Sequence, residues 1–377
     1  MPPLATGHKR TGACPTFEHP VLQRDGLLLR VPLVGGGLAP AQAAAVAAVA
    51  EEHGSGVIEL TNRGNLQVRG LREASVGPAV AALRDHGLGD GGAGLVTISP
   101  FASDADHALR QQLVDAIGEL LADGGPISPK FVVHVDDAAG TTAARRSEAT
   151  LTAVGSQIRV AIDALGGATT DAAGAVELVR ALAAACRSVA DDARVADVVD
   201  AYGLAWLHAV LPADLDAGPG RRPVAAPPAA GPWRSPDGEV LLAAARFGRL
   251  DARALAGLAA RGADLRVTPW RSFALQPPAD GRTGWEDELA ELGLIVDAGD
   301  PAAGIVSCIG AAGCWQTEAD TWAEAERVAA RRSAGGRVEP GLVHVSGCDK
   351  RCATRGRVAV TFLGKVDGTG FDPLVAP

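Results

Sequence analysis

Two segments far apart in this 377-residue chain repeat one pattern, and that repeat limits the fold more than composition does. The first, from Gly26 to Gly70, reads as an apolar strand (Leu27 to Val34), a helix (Pro40 to His53) and a second strand, VIELTNRGNLQVRG, whose apolar residues alternate in part at period two. The second, from Gly238 to Gln276, reads as a strand (Val240 to Arg246), a helix (Asp251 to Ala260, with Asp251 placed to cap it) and a strand, LRVTPWRSFALQ. Each is a β-α-β half-unit too small to close a core alone, so the two are predicted to pair around a pseudo-twofold axis. Both place a threonine and an arginine just inside the second strand: Thr61 with Arg63, and Thr268 with Arg271.

Between the repeats the pattern is α/β, with a strand predicted over Lys130 to Asp136 and helices near Asp104 to Asp123, Ala172 to Arg187 and Val195 to Tyr202. Pro212 to Gly238 is crowded with Pro and Gly and has no hydrophobic period, which is linker composition. A second α/β unit fills Gly299 to Pro377. The expected division is therefore 15–75, 76–211, a linker 212–237, 238–298 and 299–377. A formal charge of −9 with 4% aromatic residues argues against a nucleic-acid binder, so any acidic ligand must meet a local basic pocket. No apolar run has the length of a signal peptide or a membrane span, which predicts a cytoplasmic protein.

In that compartment six cysteines are not expected to form disulfides. Four of them cluster as C-x5-C (Cys308, Cys314) and C-x3-C (Cys348, Cys352). If the turn is helical, the second gap puts both sulfurs on one face, and Gly310 and Gly313 let the first loop bend close. Four thiolates suit a cubane iron–sulfur cluster. A structural zinc site is the alternative, although its cysteines usually lie two to four residues apart. Cys186, among alanines, reads as a buried apolar residue, and Cys14 as structural.

The motifs VHVSGCDKRCA, CIGAAGC and VIELTNRGNLQVRG resemble the nitrite/sulfite reductase superfamily, and the likeness covers nearly the whole chain. The reductases typically carry Thr-Gly-Cys-Pro-Asn-Gly-Cys where this chain has Ser346-Gly347-Cys348-Asp349-Lys350-Arg351-Cys352. Lys350 and the short chain favour the precorrin-hydroxylating branch over the siroheme reductases, while Arg351 stands where Gly is expected in both.

The resemblance implies an α+β fold, with two ferredoxin-like half-repeats paired by pseudo-twofold symmetry and two α/β nitrite/sulfite reductase-type domains. It implies a [4Fe–4S] cluster on Cys308, Cys314, Cys348 and Cys352, with a mononuclear non-haem iron as a further cofactor. It implies a monooxygenase of cobalamin biosynthesis that takes precorrin-3A, O2 and electrons from an external, NADH-derived donor, hydroxylates C20 and forms a γ-lactone. The alternatives are a siroheme-dependent nitrite or sulfite reductase and a non-catalytic module held together by its metal.

A precorrin is a polycarboxylate, and arginine meets a carboxylate bidentately. Arg63 and Lys130 match tetrapyrrole-carboxylate contacts of the reductases. Gln67 and Arg69 follow Arg63 on the same strand face, Arg271 is expected to be its pseudo-symmetric partner, and Arg30 is a weaker candidate. His134, His208 and His344 read as hydrogen-bonded structural residues. The glycines at 35–37 lack dinucleotide-loop spacing and read as a turn.

Overall fold

The structure, a computed structural model, describes residues 15–89, 95–122, 127–128, 131–142, 147–162, 165–191, 193–216, 230–235, 238–276, 284–335, 342–353, 360–365 and 368–375. It is an α+β protein of two compact units: Met1–Asp90 joined with Ala226–Pro377, and Gly91–Ala225. Among the described residues no helix is long and apolar enough to cross a membrane.

The chain opens with β1 (Val21–Gln23), β2 (Gly26–Val31), a short 3-10 turn (Val34–Gly36), β3 (Gly37–Leu38), α1 (Pro40–His53), β4 (Val57–Leu60), β5 (Leu66–Leu71) and α2 (Glu73–Asp85). The helix predicted from Pro40 to His53 is there. Pro40 sits at its first position, where its missing N–H costs nothing, and the Gln42 side chain accepts from the Ala39 N–H. What the sequence suggested was one strand, VIELTNRGNLQVRG, is a hairpin. Its chain reverses at Asn62–Gly64, where Gly64 has φ 65° and its N–H donates to the Thr61 carbonyl. Alternation at period two continues through both arms and so hid the turn.

The second unit follows: β6 (Val96–Ile98), α3 (Asp104–Ala122), β7 (Val133–Asp136), β8 (Ala149–Val154), β9 (Gln157–Ile162), β10 (Gly166–Thr170), α4 (Ala172–Val189), α5 (Val195–Tyr202) and α6 (Leu204–Val210). Its sheet runs β10-β9-β8-β7-β6, with β6, β7 and β8 mutually parallel and the rest antiparallel. Asp171 caps α4 by accepting from the Gly174 N–H.

The chain then returns to the first unit with β11 (Gly231–Ser235), β12 (Gly238–Ala245), β13 (Arg249–Asp251), α7 (Ala252–Ala260), β14 (Leu265–Val267), β15 (Ser272–Leu275), α8 (Trp285–Glu291) and β16 (Leu294–Ile295). Of the stretch read as linker, residues 217–229 and 236–237 lie outside the described residues, and Gly231–Ser235 is a strand pairing with β12. Asp251 caps α7 as expected, accepting from the Ala254 N–H.

Element for element, β11 to α8 repeats β1 to α2, and each half lends a strand to the other. The sheets run β1-β2-β5-β4-β13 and β11-β12-β15-β14-β3, so β3 and β13 are exchanged. The Ala-rich helices α1 and α7 pack together in the shared core, where Ala43, Val46, Ala47 and Ala50 are buried along with Leu255 and Leu258. Small side chains allow that close approach. In the first sheet Leu29, Val68, Ile58 and Leu250 form a cross-strand row facing the core, and the adjacent row, Arg30, Gln67, Glu59 and Arg249, faces the opposite side.

The last elements are β17 (Ile305–Ser307), a 3-10 turn (Gly310–Ala312), α9 (Thr321–Ser333), β18 (Val343–Ser346), β19 (Val360–Gly364) and β20 (Phe371–Val375). Strands β17, β18 and β19 are parallel and β20 antiparallel, and Ala325 and Val328 of α9 are buried with Ile305, Val343 and Val345. This is the β-α-β-β-β order of β6, α3, β7, β8 and β9, with VHVD on β7 and VHVS on β18.

The strand exchange brings backbones into contact at Gly36, whose φ is 71° and whose Cβ, if it had one, would lie 2.1 Å from the Val267 carbonyl oxygen. Gly36→Ala should destabilise the protein by about 2 to 4 kcal/mol. Gly118→Ala, on the exposed side of α3 with nothing near its Cβ, should stabilise it by about 0.5–1 kcal/mol. Chemical denaturation of both variants checks the pair, and an unchanged midpoint for Gly36→Ala would contradict the exchange.

Candidate metal centre

The four clustered cysteines sit on loops of the first unit. Cys308 leaves β17 with its N–H donated to the Val345 carbonyl on β18, and Cys314 closes the 3-10 turn by donating its N–H to Gly310. Beyond β18 the Gly347 N–H donates to the Cys308 sulfur at 3.3 Å, so the two loops already touch. A turn from Cys348 to Arg351, closed by the Arg351 N–H on the Cys348 carbonyl, leads to Cys352. Burial pushes the Cys308 thiol up, and Cys314 and Cys348 raise it further. Cys352 lies at the surface, yet partial desolvation and then Cys308, Cys348 and Cys314 push its thiol up as well.

Among the described residues no three His, Cys, Asp or Glu side chains converge on one ion position. A four-iron cluster takes one thiolate at each iron, so its ligands surround a body rather than meet at a point.

A buried arginine grips the residue beside three of these cysteines. Arg69, 2% exposed, donates from Nη2 to the Gly313 carbonyl at 3.2 Å, next to Cys314. Arg249, 8% exposed, donates from Nη2 to Ser307 Oγ at 2.9 Å, next to Cys308, and lies 4.2 Å over the Trp322 ring. Arg271, also 8% exposed, donates from Nε to the Ala353 carbonyl at 3.0 Å, next to Cys352. At the fourth, Ser346 Oγ donates to the Cys348 carbonyl. Arg24 adds a rim contact: its backbone N–H reaches Gly313 and its side chain Ala311 and Glu318.

The three arginines differ in charge balance. Arg69 is held by Asp25 at 2.8 Å and Glu59 at 2.9 Å, which outweigh the cost of its burial and keep it firmly protonated. Among the described residues no ion pair is formed by Arg249 or Arg271, and Arg249 Nε is buried with no hydrogen-bond partner there. Burial lowers the pKa of both. Beside them His344 on β18 is fully buried with neither ring nitrogen partnered. Burial, then Arg271 and Arg351, push it down to about 4, so it is neutral. Three buried arginines here face two carboxylates, Asp25 and Glu59, both paired with Arg69, and a thiolate-held cluster would add negative charge.

The second unit preserves the same loop geometry without thiols. Ser99 follows β6 as Cys308 follows β17, its N–H on Val135 where that of Cys308 is on Val345. The turn from Asp137 to Gly140 matches that from Cys348 to Arg351, and both end in a positive φ, 69° at Gly140 and 48° at Arg351. By this turn, which begins one residue sooner after β7 than after β18, Asp137 and Thr141 correspond to Cys348 and Cys352. Ser99 Oγ donates to Asp137 at 2.6 Å and Thr141 Oγ1 to Asp137 at 2.8 Å, so these three positions do converge. Arg351 keeps the loop in a conformation where glycine was expected, at the cost of backbone strain. His134 is structural as predicted, held by Thr97 and Thr142.

The other predicted residues divide. Arg69 is no free substrate contact, because Asp25, Glu59 and Gly313 occupy it. Arg271 is not the symmetric partner of Arg63. Thr61 Oγ1 accepts from the N–H groups of Arg63 and Asn65, and Thr268 Oγ1 from those of Trp270 and Ser272, so Trp270 matches Arg63 and Arg271 matches Gly64. The backbones agree, with φ 65° at Gly64 and 61° at Arg271. One extra residue in the Thr-x-x-Arg spacing caused the misreading. Arg63 is exposed on its turn, while Gln67 and Arg30 are half-buried in the polar row. Lys130 and Cys14 lie outside the described residues. Cys186 is buried in α4 and pushed up to about 12 by burial, as an inert thiol should be, and His208 is exposed. Gly35 and Gly36 lie in a turn as expected, while Gly37 opens β3. Arg249 was missed, since nothing in RFGRLD distinguishes it from a surface charge.

Burial alone would raise the Glu59 carboxyl, but Arg69, Arg249 and Arg271 outweigh it and hold it below the usual carboxylate range. Its contribution to stability is therefore full above the ordinary value of about 4.3 and lost as the pH falls through the lower folded value. Arg69→Met strands Glu59 and should cost about 3–5 kcal/mol at neutral pH, with a smaller loss in the Arg69→Met/Glu59→Gln double variant. Denaturant unfolding of the two measures this, and equal losses would contradict the pairing.

Residues 19–86 match the model of the nitrite/sulfite reductase ferredoxin-like half domain. A precorrin-3B synthase from a Sinorhizobium species is 29% identical over 386 residues, covering 96% of this chain and 82% of that protein. Among solved structures, the Mycobacterium tuberculosis NirA protein has the same fold, with a TM-score of 0.70 at 19% identity over 92% of this chain and 73% of its own. The chain is thus a homologue of precorrin-3B synthase that carries a nitrite/sulfite reductase ferredoxin-like half domain.

Proposed function

We propose that this protein is an iron–sulfur monooxygenase that converts precorrin-3A to precorrin-3B. The observation that carries the reading is the cysteine site itself: two cysteine loops joined by the Gly347 N–H on the Cys308 sulfur, with the residues beside three of the four cysteines gripped by buried arginines, in a chain similar along 96% of its length to a precorrin-3B synthase. The repeated half-units act as two ferredoxin-like halves and the two β-α-β-β-β units as reductase-type domains. Of those two units one has kept its thiols.

Cys308, Cys314, Cys348 and Cys352 would hold a [4Fe–4S] cluster, which supplies electrons one at a time when bound. The chain keeps this site rigid. Arg69, Arg249 and Arg271 fix the two cysteine loops against the half-domain sheets, so ligand positions are set before any metal arrives. With Arg69 and Arg271 so engaged, Arg63 and Gln67 are the candidates left in this unit to meet substrate carboxylates. Among the described residues no donor set fits a separate mononuclear iron, and no step is derived through one.

Incubating the anaerobically reconstituted protein with precorrin-3A, a reductant and isotope-labelled O2 should give a hydroxylated γ-lactone carrying one labelled oxygen. Arg63→Ala should raise the substrate requirement about tenfold or more while leaving the cluster absorption unchanged. Cys308→Ser should abolish turnover. An unlabelled product, or an intense siroheme Soret band together with sulfite or nitrite reduction, would replace the monooxygenase reading with the reductase one.

A further inference from the structure

Holding a serine hydroxyl or a backbone carbonyl does not require a permanent cation, yet at Ser307 and Ala353 the protein uses buried arginines. Burying a guanidinium without a carboxylate costs several kcal/mol, so the charge itself must be answered by something in the pocket. Two features show what the chain gives up to place it. Arg271 takes a left-handed backbone, φ 61°, at the position where the first half-unit uses Gly64. Its side chain then runs over Gly248, where a Cβ would lie 2.6 Å from Arg271 Cδ, so a second position is kept bare to let it pass. Arg249 arrives on the exchanged strand β13, stacked on Trp322 with Nε unpartnered. Both donate to residues of the cysteine loops, and Glu59, whose charge also acts on them, forms its ion pair with Arg69. The neutral, unpartnered His344 beside Arg271 fits a pocket with surplus positive charge.

We propose that Arg249 and Arg271 are positioning residues that neutralise the cysteine-held cluster and raise its reduction potential. This rests on the cluster assignment made above. Removing either charge favours the oxidised cluster, because reduction adds a negative charge that a nearby cation stabilises in a low-dielectric site.

The test is a redox titration of the anaerobically reconstituted full-length protein, followed by electron paramagnetic resonance, with iron and sulfide measured on each sample. Arg249→Gln and Arg271→Gln should each shift the one-electron equilibrium at least tenfold towards the oxidised form, a potential lower by about 59 mV. The matching lysine variants should stay near wild type. Arg253→Gln, an 87% exposed side chain on α7, should change nothing. Glutamine variants with a full cluster and the wild-type potential would overturn the proposal. If they fail to load, the lysine variants decide: loaded at the wild-type potential they support it, and loaded at a lowered potential they overturn it. A wild-type chain that takes up no iron and sulfide defeats the cluster assignment itself, a result read on the wild type alone.

Discussion

The buried triad of Arg69, Asp25 and Glu59 ties the first half-domain to the cysteine loop, and the rest of the site depends on it. Arg69 spends its donors on two carboxylates and on the Gly313 carbonyl, so the loop beside Cys314 cannot move without uncovering a buried charge. Glu59 belongs to a cross-strand row that ends at Arg249 on the exchanged strand, and Arg249 in turn holds Ser307. Strand exchange, charge row and cysteine loops are therefore one mechanical unit. Disturbing the half-domain pairing should disturb the cysteine loops.

The two β-α-β-β-β units show how little separates a scaffold from a site. Backbone turns, strand register and even the VHV strand are shared, while Ser99, Asp137 and Thr141 stand in place of Cys308, Cys348 and Cys352. In the thiol-free copy Ser99 and Thr141 donate to Asp137, while Asp136 Oδ2 has no partner among the described residues. Near the cysteine loops, His344 on β18 and Arg249 on the exchanged strand β13 carry nitrogens with no hydrogen-bond partner among the described residues.

Much of this was legible in the sequence. The cysteine spacing, the half-repeats, the Pro40 helix and the Asp251 cap are local features with local causes, and they stand where they were expected. The turn at Asn62–Gly64 was not legible, because alternation at period two is the same on both arms of a hairpin. Nor was the burial of Arg69 and Arg271: an arginine on a strand looks alike whether it meets a substrate carboxylate or Asp25 and Glu59. The one-residue offset that sets Arg271 against Gly64 became visible only through backbone hydrogen bonds. The strand Gly231–Ser235 was hidden in a stretch whose proline and glycine content spoke for a linker.

Mössbauer spectroscopy of the chain reconstituted with isotopically enriched iron tests the central claim most directly. The account predicts a single four-iron cluster of about four irons per chain, retained in Cys186→Ser and lost in Cys314→Ser and Cys352→Ser. Zinc in place of iron, isolated mononuclear iron alone, or an intact cluster in both ligand variants would contradict it.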